Sequence, residues 1–204
     1  MFAGKYIQKH SFDCVIAADR GLDFCRRFQI LPDLILGDFD SVPFAALEYF
    51  EQRMPERIRR FPAHKDETDT ELAVIEAISQ KSDEITVLGA TGTRLDHVLG
   101  NIHLLKFAME KGISMYLVDA HNRIRILGQG NLLVLQRAEQ FGHYVSMIPF
   151  TPAVKGLTLE GFAYDVKNFT LEAGKSRGVS NELKWEQGKI FFTEGILLVI
   201  ESKD

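Results

Sequence analysis

Leu34-Ile35-Leu36-Gly37-Asp38-Phe39-Asp40-Ser41 shows the architecture in miniature. A short apolar strand runs into a glycine, then into two aspartates two positions apart, then towards a helix. Ser41 is expected to cap that helix and Pro43 to lie in its first turn. The same pattern recurs upstream, where Cys14 to Ala18 is an apolar run ending at Asp19, with a helical stretch from Leu22 to Phe28. Downstream, Ile58 to Phe61 reads as a third strand. Thr68 to Ser79 reads as an amphipathic helix with Thr68 and Glu71 as a capping box and Leu72, Ile75 and Ile78 on one face. Ile85 to Leu88 is a strand and Leu95 to Lys111 a helix, with Val98, Ile102, Leu105 and Met109 in one stripe. Met115 to Val118, the turn-like His121-Asn122 and Ile124 to Leu127 follow. Repeated strand–helix units predict a parallel or mixed sheet flanked by helices, with ligands at the carboxyl ends of its strands.

The pattern changes at Gly128-Gln129-Gly130-Asn131, read as a linker. Beyond it, Leu132 to Leu135, Tyr144 to Ile148, Leu157 to Leu159, Val166 to Leu171, Lys189 to Thr193 and Ile196 to Ile200 read as strands, with no strong helix among them. The fold class is therefore an α/β N-terminal domain, 1–128, followed by an all-β sandwich C-terminal domain, 129–204.

Composition excludes several classes. Of 204 residues, 46% are hydrophobic and 25% charged, which is ordinary for a globular chain. A net charge of -4 argues against a nucleic-acid binder. No stretch approaches the roughly 18 apolar residues of a membrane span, and the first ten residues carry no secretion signal. Cys14 and Cys25 are too few for a disulfide scaffold and are expected to be buried, reduced thiols of a cytoplasmic protein. The glycosylation match at Asn168-Phe169-Thr170 is then without consequence.

The chemistry lies in the acids. Asp19, Asp38 and Asp40, Asp66 and Asp69, and Asp96 all fall at strand-to-helix transitions. In an extended chain Asp38 and Asp40 would point the same way. Two unit charges 4 Å apart repel by about 4 kcal/mol at an effective dielectric near 20, so such a gathering calls for a divalent cation. Mg²⁺ takes oxygen ligands, commonly one or two carboxylates with waters and substrate phosphates. Lys65 and Arg94 are placed to hold phosphate oxygens. Gly89 and Gly92 would let backbone N–H groups and a helix N-terminus approach an anion. Taken singly, each motif has a plainer reading: Asp-x-Asp is common, Asp69 favours a helix dipole, Thr68 and Ser41 are caps, and Arg94 and Asp96 form a surface pair. The glycine-rich loop is not a P-loop, and Gly174-Lys175-Ser176 lacks the earlier glycine of one.

Ala18-Asp19-Arg20-Gly21, Gly37-Asp38-Phe39-Asp40-Ser41, Lys65-Asp66-Glu67-Thr68-Asp69 and Gly89-x-x-Gly92-x-Arg94-x-Asp96-His97 together resemble, in order and spacing, the signatures of the thiamine pyrophosphokinase family. Leu157 to Glu160, Val166-Lys167-Asn168 and Ser176 to Glu182 resemble its C-terminal β domain. The resemblance runs through nearly the whole chain from Asp13. It departs at Arg20, where the family often has glycine, and at the start, where Phe2-Ala3-Gly4-Lys5 is read as the remnant of an opening strand.

The resemblance implies a homodimer holding thiamine at the subunit interface, and the reaction of ATP with thiamine to give AMP and thiamine diphosphate. It implies Mg²⁺ on Asp38, Asp40, Asp66, Asp69 and Asp96. ATP would meet Asp19, Gly21, Ser41, Thr68, Gly89, Gly92 and Arg94, and thiamine would meet Ser180 and Asn181. Asp66, Asp96, Arg94 and Lys65 are the candidate catalytic residues, with Asp66 and Asp96 equal choices for the base. Trp185, the only tryptophan, is a candidate wall for the cationic thiazolium. Two other readings are weighed. An aspartate-nucleophile phosphatase would use Asp38 covalently, and a non-catalytic sensor would only bind Mg-nucleotide.

Overall fold

A computed structural model describes residues 2–204. The chain divides into two compact units between Ile85 and Thr86. The first opens with α1 (Phe2–Lys9), then β1 (Ile16–Ala18), α2 (Gly21–Arg27), β2 (Leu34–Gly37), α3 (Phe44–Glu51), β3 (Ile58–Arg60) and α4 (Asp69–Ser79). The three strands form a parallel sheet in the order β1-β2-β3, with Ile16 opposite Leu34 and Ile35 opposite Ile58. Helical crossovers between parallel strands leave both faces of the middle strand covered, and all four residues of β2 are buried. Ala17, Ile35, Leu22, Cys25, Phe50, Met54 and Phe39 make one core cluster, while α4 lies against β1 and β2.

Four expectations are corrected here. Phe2 to Lys5 belongs to a helix and not to a strand remnant: Phe2, Tyr6 and His10 recur every four residues, and the Tyr6 ring stacks on His10 with centroids 4.0 Å apart. Ser41 does not cap α3. Pro43 occupies the cap position, and the Ser41 hydroxyl is used elsewhere. In α4 the buried residue is Val74 and Ile75 is exposed, so the apolar stripe is rotated from the one expected. The cap of α4 is as read: Thr68 Oγ1 accepts the Glu71 N–H at 3.1 Å. Finally, Cys25 is buried but Cys14 only half-buried, and both are free thiols. Burial pushes the Cys25 thiol up to about 11, and Cys14 upward by burial aided by Asp33 and Glu76.

β4 (Glu84–Leu88) crosses the division between the units. The second unit continues through α5 (Leu95–Glu110), β5 (Ser114–Val118), β6 (Asn122–Gly128), β7 (Leu133–Gln136), β8 (Tyr144–Pro149), β9 (Ala153–Glu160), β10 (Val166–Glu172), β11 (Asn181–Glu182), β12 (Gln187–Phe191) and β13 (Ile196–Ser202). A six-stranded sheet runs β11-β8-β13-β6-β5-β4, and a four-stranded antiparallel sheet runs β10-β9-β12-β7. β6 pairs with β13 from Asn122–Ser202 to Gly128–Ile196, so the larger sheet takes strands from both sides of the Gly128–Asn131 segment. Leu135, Val145, Met147, Leu157, Leu159, Leu171, Ile190, Leu197 and Val199 pack between the two sheets. The alternation of β13 that turns Leu197 and Val199 inward also buries Glu201 completely. Its carboxylate meets Arg123 at 2.8 Å and Arg125 at 2.6 Å and accepts the Phe141 N–H at 3.1 Å. Burial alone would raise the Glu201 carboxyl, but these partners outweigh it and hold the group below its ordinary range. Among the described residues, no helix is long and apolar enough to cross a membrane.

Candidate active site

The acidic centre is built where β1 and β2 end. Gly37, at the end of β2, has φ +150, a backbone conformation that favours glycine. The Asp19 N–H donates to the Leu36 carbonyl at 3.0 Å. Asp19 and Phe39 both adopt left-handed backbone, with φ 45 and φ 63. For a bulky residue such as Phe39 this is a true outlier, of the kind held in place by its surroundings. Its side chain is buried in the α2–α3 core, with the Arg60 guanidinium 5.2 Å from the ring centroid.

The chain from Asp38 to Asp40 is therefore bent and not extended as expected. The Asp40 N–H donates back to Asp38 Oδ1 at 3.0 Å, and the bend delivers both carboxylates to one place. Oxygens of Asp19, Asp38 and Asp40 all lie within 4.8 Å of one another. Ser41 Oγ holds Asp19, 2.9 Å and 2.7 Å from its two oxygens. Asp40 is raised above its ordinary value, first by the charge of Asp38, then by desolvation, by the hydrogen bond its protonated carboxyl donates to Asp38, and by the charges of Asp19 and Asp69. Among the described residues no Lys or Arg is ion-paired with these three acids. Three oxygen-bearing anions this close fit a hard divalent cation such as Mg²⁺, which prefers this donor set.

The other candidates are placed as follows. Lys65 Nζ is 2.6 Å from Asp69 Oδ1, and both side chains are largely buried. Asp66 is exposed in the bend before α4, and its carboxylate has no hydrogen-bond or ion-pair partner among the described residues. Gly21 begins α2, with open space where a Cβ would stand. In the second unit, Arg94 precedes α5 and pairs with Asp96 at 2.6 Å, both side chains well exposed. The Arg94 guanidinium and the His97 N–H pull Asp96 down to about 2. Gly89 has φ +81, which needs glycine, and the space beside Gly92 is open. Ser180 is left-handed, with φ 56, and its N–H donates to Ser146 Oγ at 3.0 Å. Asn181 is buried: its amide receives the Tyr164 and Glu182 N–H groups and donates to the Tyr164 carbonyl. Trp185 is exposed beside Lys184.

Two residues escaped the sequence reading. Thr91 Oγ1 donates to Asp119 Oδ2 at 2.5 Å, and Asp119 also holds the turn to Asn122. The signal was an aspartate two and three residues ahead of the backbone N–H groups it receives, an Asx-turn arrangement.

A family model described as thiamin pyrophosphokinase, catalytic domain, matches residues 5–117, over half of the chain. A second, for the thiamin pyrophosphokinase vitamin B1 binding domain, matches 131–197. The chain belongs to the thiamine pyrophosphokinase family. The thiamine pyrophosphokinase of Bacillus subtilis is 34% identical over 189 residues, covering 93% of this chain and 87% of that protein. A crystal structure of the thiamine pyrophosphokinase from Bacillus subtilis superposes with a TM-score of 0.90 at 33% identity, over 97% of this chain and 92% of that one. The thiamin pyrophosphokinase family protein of Enterococcus faecalis gives 0.83 at 32% identity, over 93% and 88%. The α/β architecture followed by antiparallel sheets is thus that of thiamine pyrophosphokinases.

Proposed function

We propose that the chain transfers the pyrophosphoryl group of Mg-ATP to the hydroxyl of thiamine, giving thiamine diphosphate and AMP. Family membership supports this reading, and the observation that carries its chemistry is the convergence of Asp19, Asp38 and Asp40. The phosphatase and sensor readings are not favoured. The phosphatase reading assigns no role to Asp66, Asp69 or the Arg94–Asp96 group.

Phosphoryl-type transfer is mostly positioning and charge stabilisation. The thiamine hydroxyl would attack the β-phosphorus in line with the departing AMP oxygen. Bound Mg²⁺ would neutralise charge building on the phosphates. Asp38 and Asp40 are proposed as its ligands, with Asp66, Asp69 and Asp96 in the wider acidic set. Asp19, oriented by Ser41, together with Gly21, Thr68, Gly89, Gly92 and Arg94, would serve the nucleotide. Lys65 and Arg94 would offset phosphate charge, and either Asp66 or Asp96 would accept the hydroxyl proton. Ser180 and Asn181 would shape the thiamine side, and Trp185 is a candidate wall for the thiazolium. Residues 1–128 would bind ATP and 129–204 thiamine, in a cytoplasmic homodimer with thiamine at the subunit interface. Incubation with Mg-ATP and thiamine tests the reading: AMP and thiamine diphosphate should appear in equal amounts. Release of inorganic phosphate with no AMP would contradict it.

A further inference from the structure

The two oxygens of Asp119 do different work. Oδ1 alone accepts the backbone N–H groups of His121 and Asn122, each at 2.7 Å, and it also accepts the Asn122 side-chain amide at 3.1 Å. The turn is closed again by the Asp119 N–H, which donates to the Asn122 carbonyl at 2.9 Å. The β5–β6 turn therefore has what it needs from one oxygen and the backbone. Oδ2 receives the Thr91 hydroxyl at 2.5 Å, from a residue 28 positions earlier, and shares the Asn122 amide at 3.2 Å. Burial pushes the Asp119 carboxyl up, but the Thr91 hydroxyl and the turn donors outweigh it and keep the group ionised.

Thr91 belongs to the loop between β4 and α5. That loop has a second tether: Asn101, buried on α5, donates from Nδ2 to the Ala90 carbonyl at 2.9 Å. Between the tethers and the helix, the backbone N–H groups of Thr91, Gly92, Thr93 and Arg94 have no protein acceptor among the described residues. Donors left unpaired on a loop held at two points, leading into a 16-residue helix, are disposed to meet an anion. The Thr91 hydroxyl hydrogen is spent on Asp119, so the side chain fixes the loop and leaves the main-chain donors to the ligand.

We propose that Asp119 is a positioning residue for the co-substrate, acting through Thr91 to hold the Ala90–Arg94 loop in the form that receives the polyphosphate of a Mg-nucleoside triphosphate. This rests on the pyrophosphokinase reading above and adds to it a residue beyond the acidic set. Asp119 touches no reacting atom, so its removal should weaken nucleotide affinity and spare the chemical step.

The test uses Thr91→Val, Thr91→Ser, Asp119→Ala and the Thr91→Val/Asp119→Ala double variant of the full chain. Thermal unfolding, steady-state kinetics and calorimetric binding of a Mg-bound non-hydrolysable ATP analogue would be measured. Thr91→Val should raise both the KM for ATP and the analogue Kd about tenfold, the scale of a lost hydrogen bond to a charged group. It should leave kcat and the KM for thiamine within twofold of wild type, and Thr91→Ser should restore both nucleotide constants. The double variant should be no worse than the poorer single variant, because both single changes remove the same Thr91–Asp119 bond and the double removes nothing that Asp119→Ala does not. An unchanged analogue Kd in Thr91→Val, an equal rise in the thiamine KM, or multiplied effects in the double variant would overturn the proposal. Absence of AMP formation by the wild-type protein would instead remove the pyrophosphokinase reading, while the analogue Kd values still judge the loop.

Discussion

Two carboxylate centres in this molecule are solved in opposite ways. Glu201 is buried between the sheets of the second unit with Arg123 and Arg125 against it, and its carboxyl is held low. Asp19, Asp38 and Asp40 gather in the first unit, with no arginine or lysine among the described residues ion-paired to any of them, and Asp40 is raised, chiefly by Asp38. The first centre is balanced by the fold itself and is a structural element. The second is arranged against its own repulsion by left-handed Asp19 and Phe39 and by the Ser41 strap. Backbone strain that brings like charges together is the arrangement expected of the cation site proposed above.

The sharpest way to break this contrast is to remove one carboxylate from each centre. Glu201→Ala leaves two arginines with a buried partner missing. It should cost about 3–5 kcal/mol of stability, the range for breaking a buried pair, measured by denaturant unfolding. Asp40→Asn relieves repulsion. It should leave the unfolding temperature unchanged or higher while lowering turnover roughly 100-fold or more, the scale of losing a group that stabilises transition-state charge. Equal stability losses in the two variants would erase the distinction.

Acidity separates the centres next. The folded-state carboxyl of Glu201 is depressed, so its contribution is present above the ordinary carboxylate pKa and is lost as pH falls through the folded value. Asp40 has the opposite sign. Its folded value is raised, so its unfavourable term is present at neutral pH and fades as pH falls. Added Mg²⁺ should therefore raise the unfolding temperature of the wild type at pH 7, and should do so less for Asp40→Asn. The smallest effect is expected at Thr68→Ala, where loss of the α4 cap should cost about 1 kcal/mol. A chemical denaturation curve checks it.

Much of this was legible from residues alone. β1, β2, β4, β5 and β6 announce themselves as apolar runs ending at glycine or aspartate, whereas β3 carries two arginines and no such ending, and the α4 cap was plain in Thr68 and Glu71. Three kinds of feature were not. β11 is only two residues long and carries no period. The helix α1 is missed when Phe2 to Lys5 is read against the opening strand of the family and not by the four-residue spacing of Phe2 and Tyr6. The third kind is long-range pairing. Nothing near Glu201 announces that Arg123, 78 residues earlier, lies in register with it. Likewise, the Ser41 hydroxyl looked like a cap until Asp19 was beside it. The aspartates were found from their position at strand ends, but their convergence depends on the left-handed turn at Phe39, which propensity does not foresee in a phenylalanine.

The most direct test of the acidic centre is the rate of AMP formation, at saturating thiamine, as a function of Mg²⁺ concentration for the wild type and Asp40→Asn. If Asp38 and Asp40 bind the ion that carries the reaction, the variant should need at least about tenfold more Mg²⁺ for half-maximal rate, the cost of roughly 1.4 kcal/mol of ion affinity. An identical Mg²⁺ dependence in both proteins would contradict the account.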